Sequence, residues 1–267
     1  METQMETKQN DFGELFKELR LKHWGEAVKA DLEEMTEAEK AAILKYLPKW
    51  ISKEKTERKS QLIASRIRSA RFRKIQTIDT FDFKVSAAVK SVEKNYLALF
   101  HTIGRNSPPS AVFTGNAGLG KTHLARALGY ASCQKTLSVL FTTAAEMVNY
   151  LTHAQKTFTL ETELNRYRRP QVLIIDELGY VSLDTQGSNL FFQVISARHD
   201  QELGTIATTN IPFGKFNQIF ANDAIAHAIV DRLANDADVF YLEGNETYRP
   251  IERREKLKRR KEQNLDA

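Results

Sequence analysis

A single cysteine, Cys133, excludes an internal disulfide and a cysteine-based metal cluster. It falls in a stretch that reads as helix, where a small buried filler is the expected role. The six histidines (His23, His101, His123, His153, His199 and His227) show no paired metal spacing, so no zinc is assigned. No Ser-His-Asp or Cys-His nucleophile set stands out. No apolar run approaches the roughly 18 residues that a membrane helix needs. The start, METQMETKQNDFGELF, lacks the apolar core of a signal peptide. These absences point to a cytoplasmic protein with no membrane partner. Internal repeats and low-complexity segments are absent too.

Apolar residues make up 42% of the 267, enough for one large domain or two modest ones. The formal charge of +5 suits an anionic partner, and its distribution says more than its total. Residues 1–50 hold 8 Lys/Arg against 11 Asp/Glu, a net of −3. Residues 51–75 hold 9 Lys/Arg against only Glu54 and Glu57, a net of +7. The spacing predicts a basic helix over 53–74, anchored by Leu62, Ile63, Ile67 and Phe72. Such a face is either simply solvated or a sequence-independent grip on nucleic-acid phosphates. In the second case Arg58, Lys59, Arg66, Arg68, Arg71, Arg73 and Lys74 are the contacts. The tail 249–262 holds 8 Lys/Arg and 3 Asp/Glu, again either a solvated helix or a second contact.

Ahead of the basic stretch, Asp11 with Glu14 predicts a helix to about Ala30, with Phe12, Leu15, Phe16, Leu19, Trp24 and Val28 as its apolar face. Thr36 with Glu39 is a second capping box, and Pro48 is expected to bound that helix near Leu47. Residues 1–76 are therefore read as a small all-helical domain for DNA binding or interaction. Residues 77–248 form a larger domain, and 249–267 a basic tail.

The larger domain is organised around AVFTGNAGLGKTHLARALGYA, residues 111–131. A short strand feeds a glycine-rich turn, and the turn opens an apolar-striped helix. The spacing Gly115-x-x-x-x-Gly120-Lys121-Thr122 is that of a phosphate-binding loop. Backbone N–H groups of Gly115, Asn116, Ala117, Gly118, Leu119, Gly120, Lys121, Thr122 and His123 would cradle a polyphosphate at a helix N-terminus. Lys121 would reach the β- and γ-phosphates of ATP, and the Thr122 hydroxyl would ligate Mg²⁺. His123 itself is expected to pack or cap rather than catalyse. Upstream, Thr80-Phe81-Asp82-Phe83 and a helical pattern to Phe100 form a lead-in placed to pack beside a nucleotide base.

Downstream, strands at Val139–Thr142, Val172–Ile175, Thr205–Thr208 and Val239–Leu242 alternate with helices at 143–155, 160–168, 186–199 and 224–233. That alternation argues a parallel sheet flanked by helices. The strand Val172–Ile175 ends in Asp176-Glu177, at the edge where open α/β sheets bind ligands. Asp176 would hold Mg²⁺ through water, and Glu177 would accept a proton from the attacking water or orient it. Asn210, after the next strand, either joins Glu177 on that water or serves a turn before Pro212. Arg232 is either an arginine finger offered to a neighbouring subunit or a salt-bridge partner of Asp231 or Asp236. Arg198 and Arg249 are weaker candidates for phosphate or interface contacts.

The segments GNAGLGKTHLARALG, VLIIDELGYVSL, LFFQVISARHD, TIATTNIPFGKF and AIVDRL, in this order, resemble the IstB family of AAA+ ATPases, helpers of bacterial insertion-sequence transposition. DnaC-type helicase loaders are close relatives and supply the alternative reading. Leu178-Gly179-Tyr180 and Gly244-x-x-x-Tyr248-Arg249 resemble the transposition branch more. The resemblance implies a P-loop AAA+ fold and ATP-dependent homo-oligomers on duplex DNA. It also implies an IstA-type transposase partner and help with target selection and strand transfer. It gives Lys121, Glu177, Asn210 and Arg232 catalytic roles. It implies Mg²⁺ at Thr122 and Asp176. Asn245-Glu246-Thr247 departs from the Glu-Ser pair that usually precedes the Tyr-Arg. A full helical lid domain is not expected, which leaves nucleotide closure more dependent on a neighbouring subunit.

Overall fold

The computed structural model describes Phe16, Leu19, 21–104 and 106–244. The Asp11–Glu14 cap, Tyr248, Arg249 and the tail 249–267 lie outside the described residues. Packing divides the chain between Ala64 and Ser65, whereas the sequence places its boundary after residue 76.

In the N-terminal unit, helix α1 (Lys22–Glu34) starts after Leu21, which is not helical. Where the expected helix stops near Ala30, α1 runs four residues longer, to Glu34. Helix α2 (Glu37–Ser69) carries the expected capping box: Glu39 Oε2 accepts from Thr36 N at 2.9 Å. Phe16, Leu19, Leu32 and Ile51 form the small core of this unit. Two expectations fail here. Pro48 does not end its helix but sits inside α2, between long stretches of good helix formers that outweigh one lost hydrogen bond. The basic helix over 53–74 is not a separate element either. It is the end of α2, which stops at Ser69 because Arg71 turns left-handed, φ 60°. Arg71, Arg73 and Lys74 thus lie beyond the helix.

The larger unit is a five-stranded parallel sheet with helices on both faces. Its elements are α3 (Ala87–Thr102), β1 (Ala111–Gly115), α4 (Lys121–Gln134), β2 (Val139–Thr143), α5 (Ala144–Lys156), α6 (Leu160–Arg168), β3 (Val172–Leu178), α7 (Thr185–Asp200), β4 (Gly204–Thr209), α8 (Asp223–Ala234) and β5 (Asp238–Leu242). All five strands and the four helices after β2 stand where the sequence places them. The strand order is β2-β3-β4-β1-β5. Alternate residues serve opposite cores, as the two-residue period of a strand requires. Val172 and Ile174 pack with Leu124, Leu128 and Phe113 on one face. Leu173 and Ile175 pack with Met147, Phe191 and Ile229 on the other. The edge strand β5 is instead partly exposed, with Asp238 and Tyr241 outward. The parallel β-αβ connections bring the carboxyl ends of β1, β3 and β4 to one edge of the sheet.

Cys133 is fully buried on α4, and burial pushes its thiol up to about 12. Native protein at pH 8 should therefore give no colour with Ellman's reagent until denaturant opens the core. Fast reaction without denaturant contradicts this burial.

Candidate nucleotide site

The loop between β1 and α4 is shaped by its glycines. Gly115 (φ 128°) lies so close to β5 that a Cβ there would stand 2.0 Å from the Leu242 carbonyl oxygen. Gly120 (φ 85°) caps α4, and a Cβ on it would meet the Phe81 ring at 2.5 Å. Asn116 ties the loop down by donating from Nδ2 to the Gly244 carbonyl at 2.8 Å. The Lys121 ammonium donates to the carbonyls of Gly115 and Asn116, both at 2.7 Å, which holds it across the loop. Ala117, Gly118, Gly120, Lys121, Thr122 and His123 face a cleft of about 300 Å³. Gly115, Asn116 and Leu119 shape the loop without lining that cleft. The His123 ring is also tied down: Nε2 donates to the Thr77 carbonyl at 3.0 Å, and Phe81 meets the ring edge-on. Phe81 is thus a buried support beneath the loop, and buried Phe83 packs edge-on against it.

The strand order sets the rest. Because β4 lies between β1 and β3, its last residues stand between the phosphate loop and the acidic pair. Asp176 is buried, and its Oδ1 accepts from the Thr122 hydroxyl at 2.8 Å and the Thr208 hydroxyl at 2.5 Å. Thr208 also accepts from Glu177 N at 3.0 Å. The β3–β4 register shifts between Ile175 and Leu178, and Glu177 takes φ 60°. A non-glycine residue held left-handed is a local strain of the kind found at functional sites. Here the strain turns Glu177 into the cleft, beside Tyr180, Thr208, Thr209 and Asn210.

The comparisons with known proteins agree with this geometry. The family of IstB-like ATP binding proteins matches residues 14–256. The chain belongs to that family. It is accordingly an IstB-type AAA+ ATPase. It is 34% identical over 218 residues to a protein of Geobacillus stearothermophilus named as the ATP-binding protein of insertion sequence IS5376, covering 82% of this chain and 85% of the relative. The insertion sequence IS21 relative of Pseudomonas aeruginosa is 28% identical, covering 90% and 89%. A solved DnaC helicase loader aligns with TM-score 0.55 and 20% identity, over 62% of this chain and 96% of that one. AMPPCP-bound DnaA from Aquifex aeolicus aligns with TM-score 0.54 and 19% identity, over 69% and 55%. At these identities the two structures speak to the fold. Among the described residues no helix is long and apolar enough to cross a membrane.

Arg232 lies apart from the cleft of its own chain. Its Nε donates to Ser196 Oγ at 3.1 Å and its Nη1 to the Ala228 carbonyl at 3.2 Å. The guanidinium covers the Phe192 ring at 4.9 Å and lines a different cavity, with Thr205 and Ser110. Among the described residues it makes no ion pair with Asp231 or Asp236; His199 faces Asp236 instead, at 3.5 Å. Arg198 offers nothing to a phosphate or an interface: it is fully buried and hydrogen-bonded to backbone carbonyls.

The basic residues are dispersed. In the N-terminal unit Arg58 bonds Glu54 at 2.6 Å and the Leu19 carbonyl at 2.9 Å, while Lys59 is exposed. In the larger unit Arg66 donates to the Thr136 carbonyl, and Arg73 pairs with Glu146. Arg68 and Arg71 are exposed. Lys74 lines the nucleotide cleft. Sequence reasoning missed three residues at the cleft: Thr208 as a clamp on Asp176, and the pair Gln76 and Arg126. Arg126 was legible in principle, because it follows Thr122 by four residues and so shares its helix face. Gln76 carries no sequence signal.

Proposed function

We propose that the protein is an ATP-switched assembly factor that oligomerises on duplex DNA and assists a transposase in target selection and strand transfer. The observation that carries this reading is the split site. Lys121, Thr122, Glu177 and Asn210 gather at one cleft, with buried Asp176 hydrogen-bonded to Thr122, while Arg232 is held on another surface of the same chain. An arginine so placed does not line the cleft of its own chain; offered to a neighbour's γ-phosphate, it would make assembly depend on ATP. Lys121 and the loop amides bind the phosphates. Glu177, with Asn210, orients the attacking water and takes its proton. The Thr122 hydroxyl and the Asp176 carboxylate, 2.8 Å apart, are hard oxygen donors that fit Mg²⁺. Bound there, the ion would neutralise charge on the phosphates. The insertion-sequence origin of relatives matched over most of this chain favours the transposition branch over helicase loading.

The DNA grip in this reading is carried by Lys59, Arg68 and Arg71, exposed members of the basic stretch, while Arg58, Arg66 and Arg73 bond within the chain and Lys74 lines the cleft. Gel filtration with duplex DNA and a non-hydrolysable ATP analogue should show large assemblies, and ADP should not support them. Elution that ignores nucleotide refutes the switch. DNA affinity should fall steeply with salt, and Arg68→Ala or Arg71→Ala should each reduce the log–log salt slope by about 1. A flat salt response refutes the phosphate grip.

A further inference from the structure

Arg126 enters the nucleotide cleft one helical turn below Thr122. Its Nη1 donates to Gln76 Oε1 at 3.1 Å, and its guanidinium lies 4.7 Å from the centre of the Phe141 ring. Its Nη2 stands 3.7 Å from Asp176 Oδ2, the carboxylate oxygen opposite the one taken by Thr122 and Thr208. The Gln76 and Phe141 contacts hold the guanidinium against the carboxylate. Charges at the cleft are then Asp176 and Glu177 against Lys74, Lys121 and Arg126, an excess of one positive charge.

We infer that Arg126 is a built-in counter-charge for Asp176, a positioning residue that keeps the metal site from holding a divalent cation until a nucleoside triphosphate arrives. This rests on the reading of Thr122 and Asp176 as the Mg²⁺ residues. A carboxylate alone in a buried site attracts a divalent cation strongly; a guanidinium beside it cancels most of that attraction. The triphosphate brings enough negative charge to reverse the balance, so metal and nucleotide enter together. The empty site then cannot be occupied by metal alone and mistaken for the loaded one.

The test uses full-length, nucleotide-free protein and Mn²⁺ alone, with free Mn²⁺ followed by electron paramagnetic resonance. Arg126→Leu and Arg126→Gln should each gain about ten-fold in Mn²⁺ affinity over the unchanged protein. Arg126→Lys, which keeps the charge, should not. Adding Asp176→Asn to either neutral variant should abolish the gain. A general structural defect loses binding and does not create it, so the readout separates positioning from damage. Mn²⁺ affinity unchanged in both neutral variants overturns the counter-charge. Binding of fluorescent ATP to the unchanged protein with and without Mg²⁺ tests the underlying reading separately: no Mg²⁺-dependent binding there refutes Thr122 and Asp176 as the metal residues, whatever Mn²⁺ does in the variants.

Discussion

Two inactive variants, mixed, should recover ATP hydrolysis. In the proposed mechanism Glu177→Gln removes the base for the attacking water, and turnover should fall about 10³-fold. Arg232→Ala removes the proposed finger for a neighbour's γ-phosphate, with an expected loss of at least about 10³-fold. Each variant alone lacks one half of every composite site. In a head-to-tail assembly made from equal amounts, about a quarter of interfaces pair an intact cleft from the Arg232→Ala chain with an intact finger from the Glu177→Gln chain. Phosphate release by the mixture, with DNA present, should therefore approach a quarter of the unchanged rate. The proposed arrangement rests on the place of Arg232: Ser196, Ala228 and Phe192 hold it along one wall of a cavity that does not include the phosphate loop. Glu177→Gln should also keep ATP and accumulate as stable assemblies, since binding does not need the proton acceptor. Activity of the mixture no higher than that of the separate variants eliminates the shared site.

The parts of this site that could be read from sequence are those whose chemistry is local. Gly115 to Thr122 carries its own turn geometry, and a strand buried on both faces must read as a continuous apolar run, as Val172–Ile175 does. What was hidden depends on groups far apart in the chain. Gln76 reaches Arg126 across 50 residues of sequence, and no local pattern marks it. Thr208 clamps Asp176 only because β4 lies beside β3. The left-handed turn at Glu177 arises from a register shift between two strands, which side-chain periodicity does not encode. At Pro48 the local rule was outweighed: helix formers on both sides carry α2 through it. The basic stretch 51–75 was visible as composition, yet the fold assigns its members different tasks. Arg66 and Arg73 tie elements of the larger unit together, Lys74 walls the cleft, and Arg68 and Arg71 face solvent.

Arg198→Met is expected to lower the stability of the larger unit by about 4 kcal/mol, since several buried acceptors lose their donor at once. Arg198 is 0% exposed in the last turn of α7. Its Nη1 donates to the carbonyls of Tyr167 at 2.9 Å and Pro170 at 2.8 Å, and to Arg168 at 3.4 Å. Its Nη2 donates to the Gly204 carbonyl, and its Nε to Thr205 Oγ1 at 3.1 Å. Burial pushes the guanidinium down to about 9, so it remains charged at neutral pH. One planar fork thus joins the end of α6, the approach to β3 and the first residues of β4. Methionine fills much of the same volume but donates nothing. Lysine keeps a charge on a single nitrogen, which cannot span the fork, so Arg198→Lys should recover less than half of the loss. For a unit of this size the methionine variant should melt about 10 °C lower by circular dichroism; an unchanged melting temperature refutes the role. The bonds gather at the amino ends of β3 and β4, whereas the nucleotide cleft opens at the carboxyl ends. ATP affinity measured well below the melting transition should therefore change less than two-fold, because the residue that fastens the base of the sheet takes no part in the chemistry at its other end.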